Sequence, residues 1–401
     1  MGYVAPAGTP ISAVLYTAAL TQGLLRSATA RGLGSALARH GGHENSWLFG
    51  TGRAAMVVAL QAMRDSSTDP RRDQVIVAGY TCYSVPASVL RAGLKPRLCD
   101  IDPATLSFDL DRLRSVDLSR VLCIVTANLY GIPNALAEIE AIARQAGVLM
   151  LDDAAQALGA RYGDRPAGGF GDVGLYSFDK GKNITSLEGG ALVASNATLV
   201  RALDRRVGAL PGASATHTAT TLAKLAIYSV LLRPSFYGVV RSLPFLGIGR
   251  TVYEDTFPLR RYSPTLGGFA ARLLQRLSEL TKIRAVNAAA LLAALSPNQN
   301  VQPVRLLAAA TPGYTRLPLL VRDASTRDGL VQAVDAAGYG ATASYPSALC
   351  DVPELASHLA AEDRDQPGAR HVAKHIVTLP VHPYCPPGYA AQIAQAMASA
   401  R

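Results

Sequence analysis

Between Val148 and Gly190 the chain places, in order, two carboxylates (Asp152, Asp153), two lysines (Lys180, Lys182) and an acid followed by two glycines (Glu188 to Gly190). The carboxylates close an apolar run that suits a buried strand, and an acid at the C-terminal end of such a strand faces a ligand crevice. Taken alone, the pair is as well explained by a solvated turn or a helix N-cap, and no nearby histidine supports a metal site. The lysines follow in a glycine-containing loop after Ser177 and Phe178, where simple exposure is the bland reading. Together the two groups permit more. A lysine amine desolvated to a lower pKa can condense with a cofactor aldehyde, and a buried carboxylate can hold a pyridine nitrogen protonated. Asp153 and one of the lysines supply both halves, although spacing alone does not choose between Lys180 and Lys182.

Such groups need a scaffold, and the chain from Trp47 to about Ser195 alternates short apolar runs with helical patterns, the signature of a parallel or mixed sheet covered by helices. Strands are expected at Gln74 to Ala78, Arg97 to Asp100, Val121 to Ala127, Val148 to Leu151 and Ala191 to Ala194. Helices are expected at Gly52 to Arg64, Val85 to Ala92 and Ala135 to Ala146, with apolar residues three and four apart. The string Gly169 to Gly174 matches G-x-G-x-x-G, but it precedes a strand-like stretch, Leu175 to Phe178, instead of opening a helix, so a dinucleotide fingerprint is rejected. Leu266 to Leu295 has the pattern of one long amphipathic helix. Arg316 to Val321 and His375 to Leu379 then read as strands, and Thr326 to Ala337 and Gly388 to Ala398 as helices.

This division gives a large α/β domain over 1–204, an apolar, basic insertion over 205–262, and a connecting helix with a smaller C-terminal α/β domain over 263–401, in keeping with a length of 401 residues. Within the insertion, Leu222 to Arg250 carries Lys224, Arg233, Arg241 and Arg250 and no acid. Its apolar runs are shorter than the ~20 residues that span a bilayer. Two readings remain, a packed helical hairpin and a basic surface lying on anionic lipid. The five cysteines lack C-x-x-C spacing and no signal peptide is read, which points to a reducing cytoplasm. The formal charge of +10 is dispersed and accompanied by no nucleic-acid-binding motif, so a phosphate-bearing ligand or a membrane surface explains it better than nucleic acid.

The same segment resembles the DegT/StrS-type sugar aminotransferases among the fold-type I enzymes that use pyridoxal 5′-phosphate (PLP). The shared elements are Asp152-Asp153-Ala-Ala-Gln156-Ala-Leu-Gly159-Ala, then Gly168 to Asp172, then Ser177-Phe178-Asp-Lys-Gly-Lys182-Asn183, ending at Glu188-Gly189-Gly190. Weaker echoes are Gly52-Arg53-Ala54-Ala55, Tyr80-Thr81, Asn128-Leu-Tyr130-Gly131 and Leu379-Pro380-Val381-His382-Pro383.

The resemblance implies a large domain with a mixed, mostly parallel sheet and a PLP Schiff base on Lys182, which stands five after Ser177 and directly before Asn183. It implies that Asp153 pairs with the pyridine nitrogen and that Gln156 bonds the phenolic oxygen. Ser177, Gly52 and the backbone amides of Arg53 and Ala54, at the start of the Gly52 helix, would hold the phosphate, and Cys82 and Asn183 would also stand against the cofactor. Three departures stand out: Cys82, beside Tyr83, replaces the ring-stacking aromatic, Arg53 replaces the threonine of the phosphate turn, and no N-Y-R motif is recognisable around Arg260 to Ser263. The expected function is transfer of an amino group from L-glutamate to a nucleotide-linked keto-sugar. The rivals are a keto-cyclitol or other non-nucleotide ketone as acceptor, and a non-catalytic PLP-binding sensor or scaffold. Also expected are a homodimer and contact with the inner membrane face through residues 222–250.

Overall fold

The computed structural model describes residues 2–25, 28–241 and 253–399. Its large domain is built on β1 (Asn45–Phe49), β2 (Gln74–Ala78), β3 (Lys95–Cys99), β4 (Val121–Val125), β5 (Leu149–Asp153), β8 (Val173–Ser177) and β9 (Gly190–Ala194), in the order β1-β9-β8-β5-β4-β2-β3. The stretch from β3 to β8 is parallel, whereas β9 runs antiparallel to both β8 and β1. Every residue of β4, β8 and β9 is buried, as expected of strands covered by helices on both faces. The mostly parallel sheet and most of the expected strands and helices are therefore present.

The small domain is a three-stranded antiparallel sheet of β10 (Val301–Pro303), β12 (Leu317–Val321) and β13 (Ile376–Leu379), with β12 in the middle. A third sheet joins the two halves, with β6 (Arg161–Tyr162) flanked by β7 (Arg165–Pro166) and by β11 (Ala310–Thr311) from the C-terminal half.

Three expectations change. The stretch from Leu266 to Leu295 is two helices, Pro264–Gln275 and Leu277–Leu295, with a break at Arg276 (φ −98°, ψ 5°). The halves have different partners: the first packs on the N-terminal helices Ala13–Leu25 and Ala28–Gly41, the second on the C-terminal helix Tyr389–Ser399. Tertiary contacts of opposite destination thus override a continuous apolar period. Second, the N-terminus leaves the large domain. Val4 bridges to Tyr339, and His382 bonds the Ala5 carbonyl at 2.8 Å. Third, residue 204 falls inside the helix Ala197–Gly208, which packs on the Gly52–Ser66 helix. The insertion proper is a packed pair of helices, Ala215–Leu231 and Pro234–Arg241. The remainder of the expected lipid-facing stretch, 242–250, lies outside the described residues.

Candidate active site

Strand direction gathers the chemistry on one edge of the large sheet. β1 and β8 end on the same side because each is antiparallel to β9, and Gly190 stands opposite both Phe49 and Ser177. Asp153 closes β5 on that same edge, opposite Leu175. Directly after β1 the chain turns into the Gly52–Ser66 helix, capped by Thr51, whose hydroxyl accepts the Ala54 N–H at 3.0 Å. A Cβ at position 190 would sit 2.7 Å from the Gly52 Cα. The glycine at the start of β9 is what lets this helix end approach the sheet.

Around this edge lies a chamber of about 520 Å³ lined by Asp153, Lys182, Ser177, Arg53, Cys82 and Glu188, among others. Burial raises the pKa of Asp153 to about 6, and the Ala155 N–H and then the charge of Lys182 pull against that rise. The carboxylate accepts the Ala155 N–H at 2.9 Å. Asp152 points away and is wholly buried, accepting from Asn128 Nδ2 at 2.7 Å, Gly168 N at 2.6 Å and Thr126 Oγ1 at 3.1 Å. The two acids thus divide the work: Asp152 ties loops together and Asp153 faces the ligand space.

Lys182 sits in the loop between β8 and β9, and the surrounding fold fixes its backbone. Thr9 Oγ1 donates to the Lys182 carbonyl at 2.8 Å, and the fully buried Arg284 donates to the Asn183 carbonyl at 3.1 Å. Asn183 Nδ2 donates to the Gly313 carbonyl at 2.6 Å. Lys180 is exposed and does not line this chamber, although it does line a smaller neighbouring one, so only Lys182 shares a chamber with Asp153.

A second chamber, about 330 Å³, also has Lys182 in its wall, together with Tyr130, Gln156, Arg316, Ser344 and Tyr345. Gln156 is fixed at both ends, its Oε1 accepting the Tyr130 N–H at 3.2 Å and its Nε2 donating to the Tyr345 hydroxyl at 3.1 Å. Tyr130 OH in turn donates to Ser344 Oγ at 2.6 Å. Of the four non-glycine residues with positive φ among those described, Tyr130 and Ser344 line this chamber and Leu187 lines the first. Backbone held in that costly region concentrates where a site demands it.

Several sequence-derived assignments land elsewhere. The Ala54 N–H is taken up by the Thr51 cap, so it is not a free phosphate donor, whereas Gly52, Arg53 and Ser177 do line the first chamber. Gln156 lines the second chamber and not the first. Asn183 lines neither and braces the lysine loop against the small domain instead. Cys82 lines the first chamber and accepts the Ser84 hydroxyl at 3.0 Å, and Tyr83 bonds Ser347 at 2.6 Å. Arg53 pairs with Glu254 and lies over the Phe257 ring, 4.7 Å from its centre.

No motif in the sequence points to Glu254, Arg284, Arg316 or Tyr345. Nothing local marks them, since they come from the insertion, a helix and the small domain. Where the N-Y-R motif was not recognisable, Arg260 bonds Glu188 at 3.0 Å, and His217 of the insertion bonds the same carboxylate at 2.8 Å.

These residues fit PLP. A lysine shares the chamber with a half-buried carboxylate whose raised pKa a cationic ring nitrogen would offset, and an arginine and a serine stand beside a helix N-terminus where a phosphate is favoured.

The family model of the DegT/DnrJ/EryC1/StrS aminotransferases matches residues 12–214 and 269–398. The chain belongs to this family. The unmatched stretch between the two segments contains the helical pair of the insertion. A relative from Micromonospora echinospora, an L-glutamine:2-deoxy-scyllo-inosose aminotransferase, is 35% identical over 38% of this chain and 35% of its own length. A UDP-N-acetyl-3-dehydro-alpha-D-glucosamine 3-aminotransferase from Acidithiobacillus ferrooxidans is 31% identical over 38% of this chain and 41% of its own length. The chain thus matches about two-fifths of these curated relatives. The fold of Helicobacter pylori PseC, an aminotransferase involved in the biosynthesis of pseudoaminic acid, covers 99% of this chain and 99% of its own at a TM-score of 0.80 and 15% identity. The architecture is accordingly fold type I.

Proposed function

We propose that this family member is a PLP-dependent aminotransferase that moves an amino group from an amino acid to the keto group of a sugar, nucleotide-linked as in the Acidithiobacillus relative. The carrying observation is the convergence of Lys182 and the half-buried Asp153 on one chamber at the end of the sheet. Bound there, the cofactor supplies an aldehyde carbon for the incoming amine and a ring that accepts electrons from a breaking Cα–H bond.

The chain's own groups do the rest. Asp153 keeps the proton on the ring nitrogen, while Arg53 and Ser177 hold the phosphate at the helix end. Lys182, shared by both chambers, moves the proton between the substrate carbon and the cofactor carbon. Leu187, Tyr83 and Met56 add apolar surface to the wall of the first chamber.

The test is the absorbance spectrum of the PLP-loaded protein before and after L-glutamate and, in a parallel sample, L-glutamine, followed by keto-sugar acceptors. Loss of the lysine-bound band with either donor, reversed by a nucleotide keto-sugar, is the expected result. Reversal only by a keto-cyclitol selects the reading that the Micromonospora relative favours. A band that no amino acid changes leaves the non-catalytic PLP-binding reading.

Two further expectations belong with this reading. A homodimer accounts for the exposed Ile227, Val230 and Phe236 on the insertion helices, which a second copy would cover. Sedimentation as a monomer at micromolar concentration removes that idea, and co-sedimentation with anionic vesicles at low salt assigns the face to lipid. A cytoplasmic location rests on five free cysteines, three of them buried, and cell fractionation checks it.

A further inference from the structure

Arg284 is fully buried and Arg316 half-buried, and the two are used differently. Arg284 donates to the Asn183 and Gly8 carbonyls and to Thr9 Oγ1. Its work is structural. Arg316, directly before β12, makes one hydrogen bond, from Nη1 to Thr342 Oγ1 at 3.0 Å. Among the described residues no carboxylate pairs with it, and its other N–H groups have no protein acceptor. Burial lowers its pKa, and the phenols of Tyr345, Tyr130, Tyr237 and Tyr80 oppose the change electrostatically.

A guanidinium has five N–H donors in a planar fork, and a buried cation without an anion is held at a cost. Part of the Arg316 surface stays open, and that side chain lines the smaller chamber whose wall includes Lys182. An anion entering this chamber would therefore meet an unpaired fork in the same space as the reactive amine, while the exposed Asp179 and Lys180, also in its wall, offset one another in charge.

The two substrates of the proposed reaction differ in one relevant respect. An amino acid carries a carboxylate on the very carbon whose C–H bond must break, while a sugar ketone carries none beside its reacting carbon. A carboxylate matches the guanidinium fork with two parallel hydrogen bonds, which fixes direction as well as position. A nucleotide's phosphates, by contrast, would have to reach past the reacting carbon into the smaller chamber.

We infer that Arg316 receives the α-carboxylate of the amino-acid donor in the chamber bounded by Gln156, Ser344 and Tyr345, and so sets the donor's Cα–H bond beside Lys182. The inference rests on the aminotransferase reading and names the donor subsite within it. Arg316 acts by binding and orienting. Thr342, which holds the guanidinium, belongs to the small domain, where its amide also bonds the Thr378 carbonyl at 3.1 Å. Donor recognition thus depends on that domain's placement over the sheet edge.

The experiment compares wild type, Arg316→Gln and Arg316→Lys, each loaded with PLP. Titration of the lysine-bound absorbance band with L-glutamate or L-glutamine gives an apparent donor constant. The second half-reaction is followed separately, on enzyme loaded directly with pyridoxamine phosphate and given the keto acceptor. Arg316→Gln is expected to raise the donor constant on the order of tenfold to a hundredfold, the scale of a lost charge-assisted pair. Arg316→Lys recovers part of it, the resting band is unchanged, and the acceptor half-reaction shifts by less than about threefold on the same energy scale.

A donor constant that stays within that margin in Arg316→Gln overturns the inference. So does an equal loss in the acceptor half-reaction, which moves Arg316 to the acceptor's anion. Calorimetry with glutarate, a carboxylate with no amine, separates the inference from the reading beneath it. If no amino acid changes the wild-type band, the aminotransferase reading falls, yet glutarate binding that disappears in Arg316→Gln still supports a carboxylate site. Equal binding to both proteins ends that too.

Discussion

The chamber that holds Asp153 is made mostly of residues that follow strands of one sheet edge, at 51–53, 82–88, 153–155 and 177–189. The chamber on the other side of Lys182 is closed by Tyr130, Gln156, Arg316 and Tyr345, contributed by four separate stretches of the chain. Parallel strand direction alone brings the first set together, because strand ends on one edge are adjacent whatever fills the loops. The second set exists only when the small domain sits against the large one. The first chamber is expected to keep its cofactor chemistry through changes that disable the second, and substitutions can test how far this independence extends.

The largest effect belongs to Lys182, the amine that lines both chambers. Lys182→Ala is expected to lower turnover on the order of 10³-fold or more and to remove the lysine-bound band, while Lys180→Ala stays within about twofold, the scale of a surface substitution. If Lys180→Ala removes the band, the lysine assignment is wrong.

Next is Asp153, for which opposite signs in activity and stability are expected. Its pKa of about 6 in the ligand-free fold lies above the ordinary value of 3.8. A carboxyl raised on folding favours the fold below its unfolded value, and that contribution is lost as pH rises through 6. Asp153→Asn should therefore stabilise the cofactor-free protein above pH 6, by up to about 3 kcal/mol, and change little at pH 4. Turnover should fall on the order of 10²-fold to 10³-fold. Thermal unfolding at both pH values, without cofactor, measures the first, and destabilisation at pH 7.5 would count against a buried, uncompensated acid.

Arg53 sharpens the comparison within the first chamber. Arg53→Ala is expected to weaken PLP binding on the order of tenfold to a hundredfold. Glu254→Gln frees the guanidinium from its carboxylate and should tighten binding by a few-fold at low salt, with the gain shrinking as salt rises. Titration of the cofactor by absorbance reads both, and unchanged affinity in Arg53→Ala assigns the phosphate to other donors.

The smallest functional effect is expected at Asn183. Its bond to Gly313 spans the domains, so Asn183→Ala should cost about 1–3 kcal/mol of stability and leave the band of the folded enzyme in place. A lost band in protein that remains folded would return Asn183 to the cofactor.

The sequence predicted the sheet, its helices and the lysine-and-carboxylate pair because each depends on short-range pattern: apolar runs, helical periodicity, and residues set a few positions from a strand end. Gln156 shows the limit. It lies three residues beyond Asp153, yet the turn after β5 carries its side chain to the opposite side of Lys182, a matter of direction that spacing does not encode. The break at Arg276 was hidden for a related reason, since an apolar period continues through it while the two halves find different partners.

What the sequence determined by itself is the scaffold, the family and the candidate pair Lys182 and Asp153, all carried by contiguous segments whose local rules suffice. Tertiary structure decided that Lys182 and not Lys180 lines the chamber of Asp153, that Asn183 braces a loop, and that Arg316, unpaired among the described residues, shares the smaller chamber with Lys182. Those outcomes depend on where the small domain and the insertion come to rest against the sheet, and that placement is fixed by burial between residues more than a hundred positions apart, as in the Asn183–Gly313 and Gln156–Tyr345 bonds.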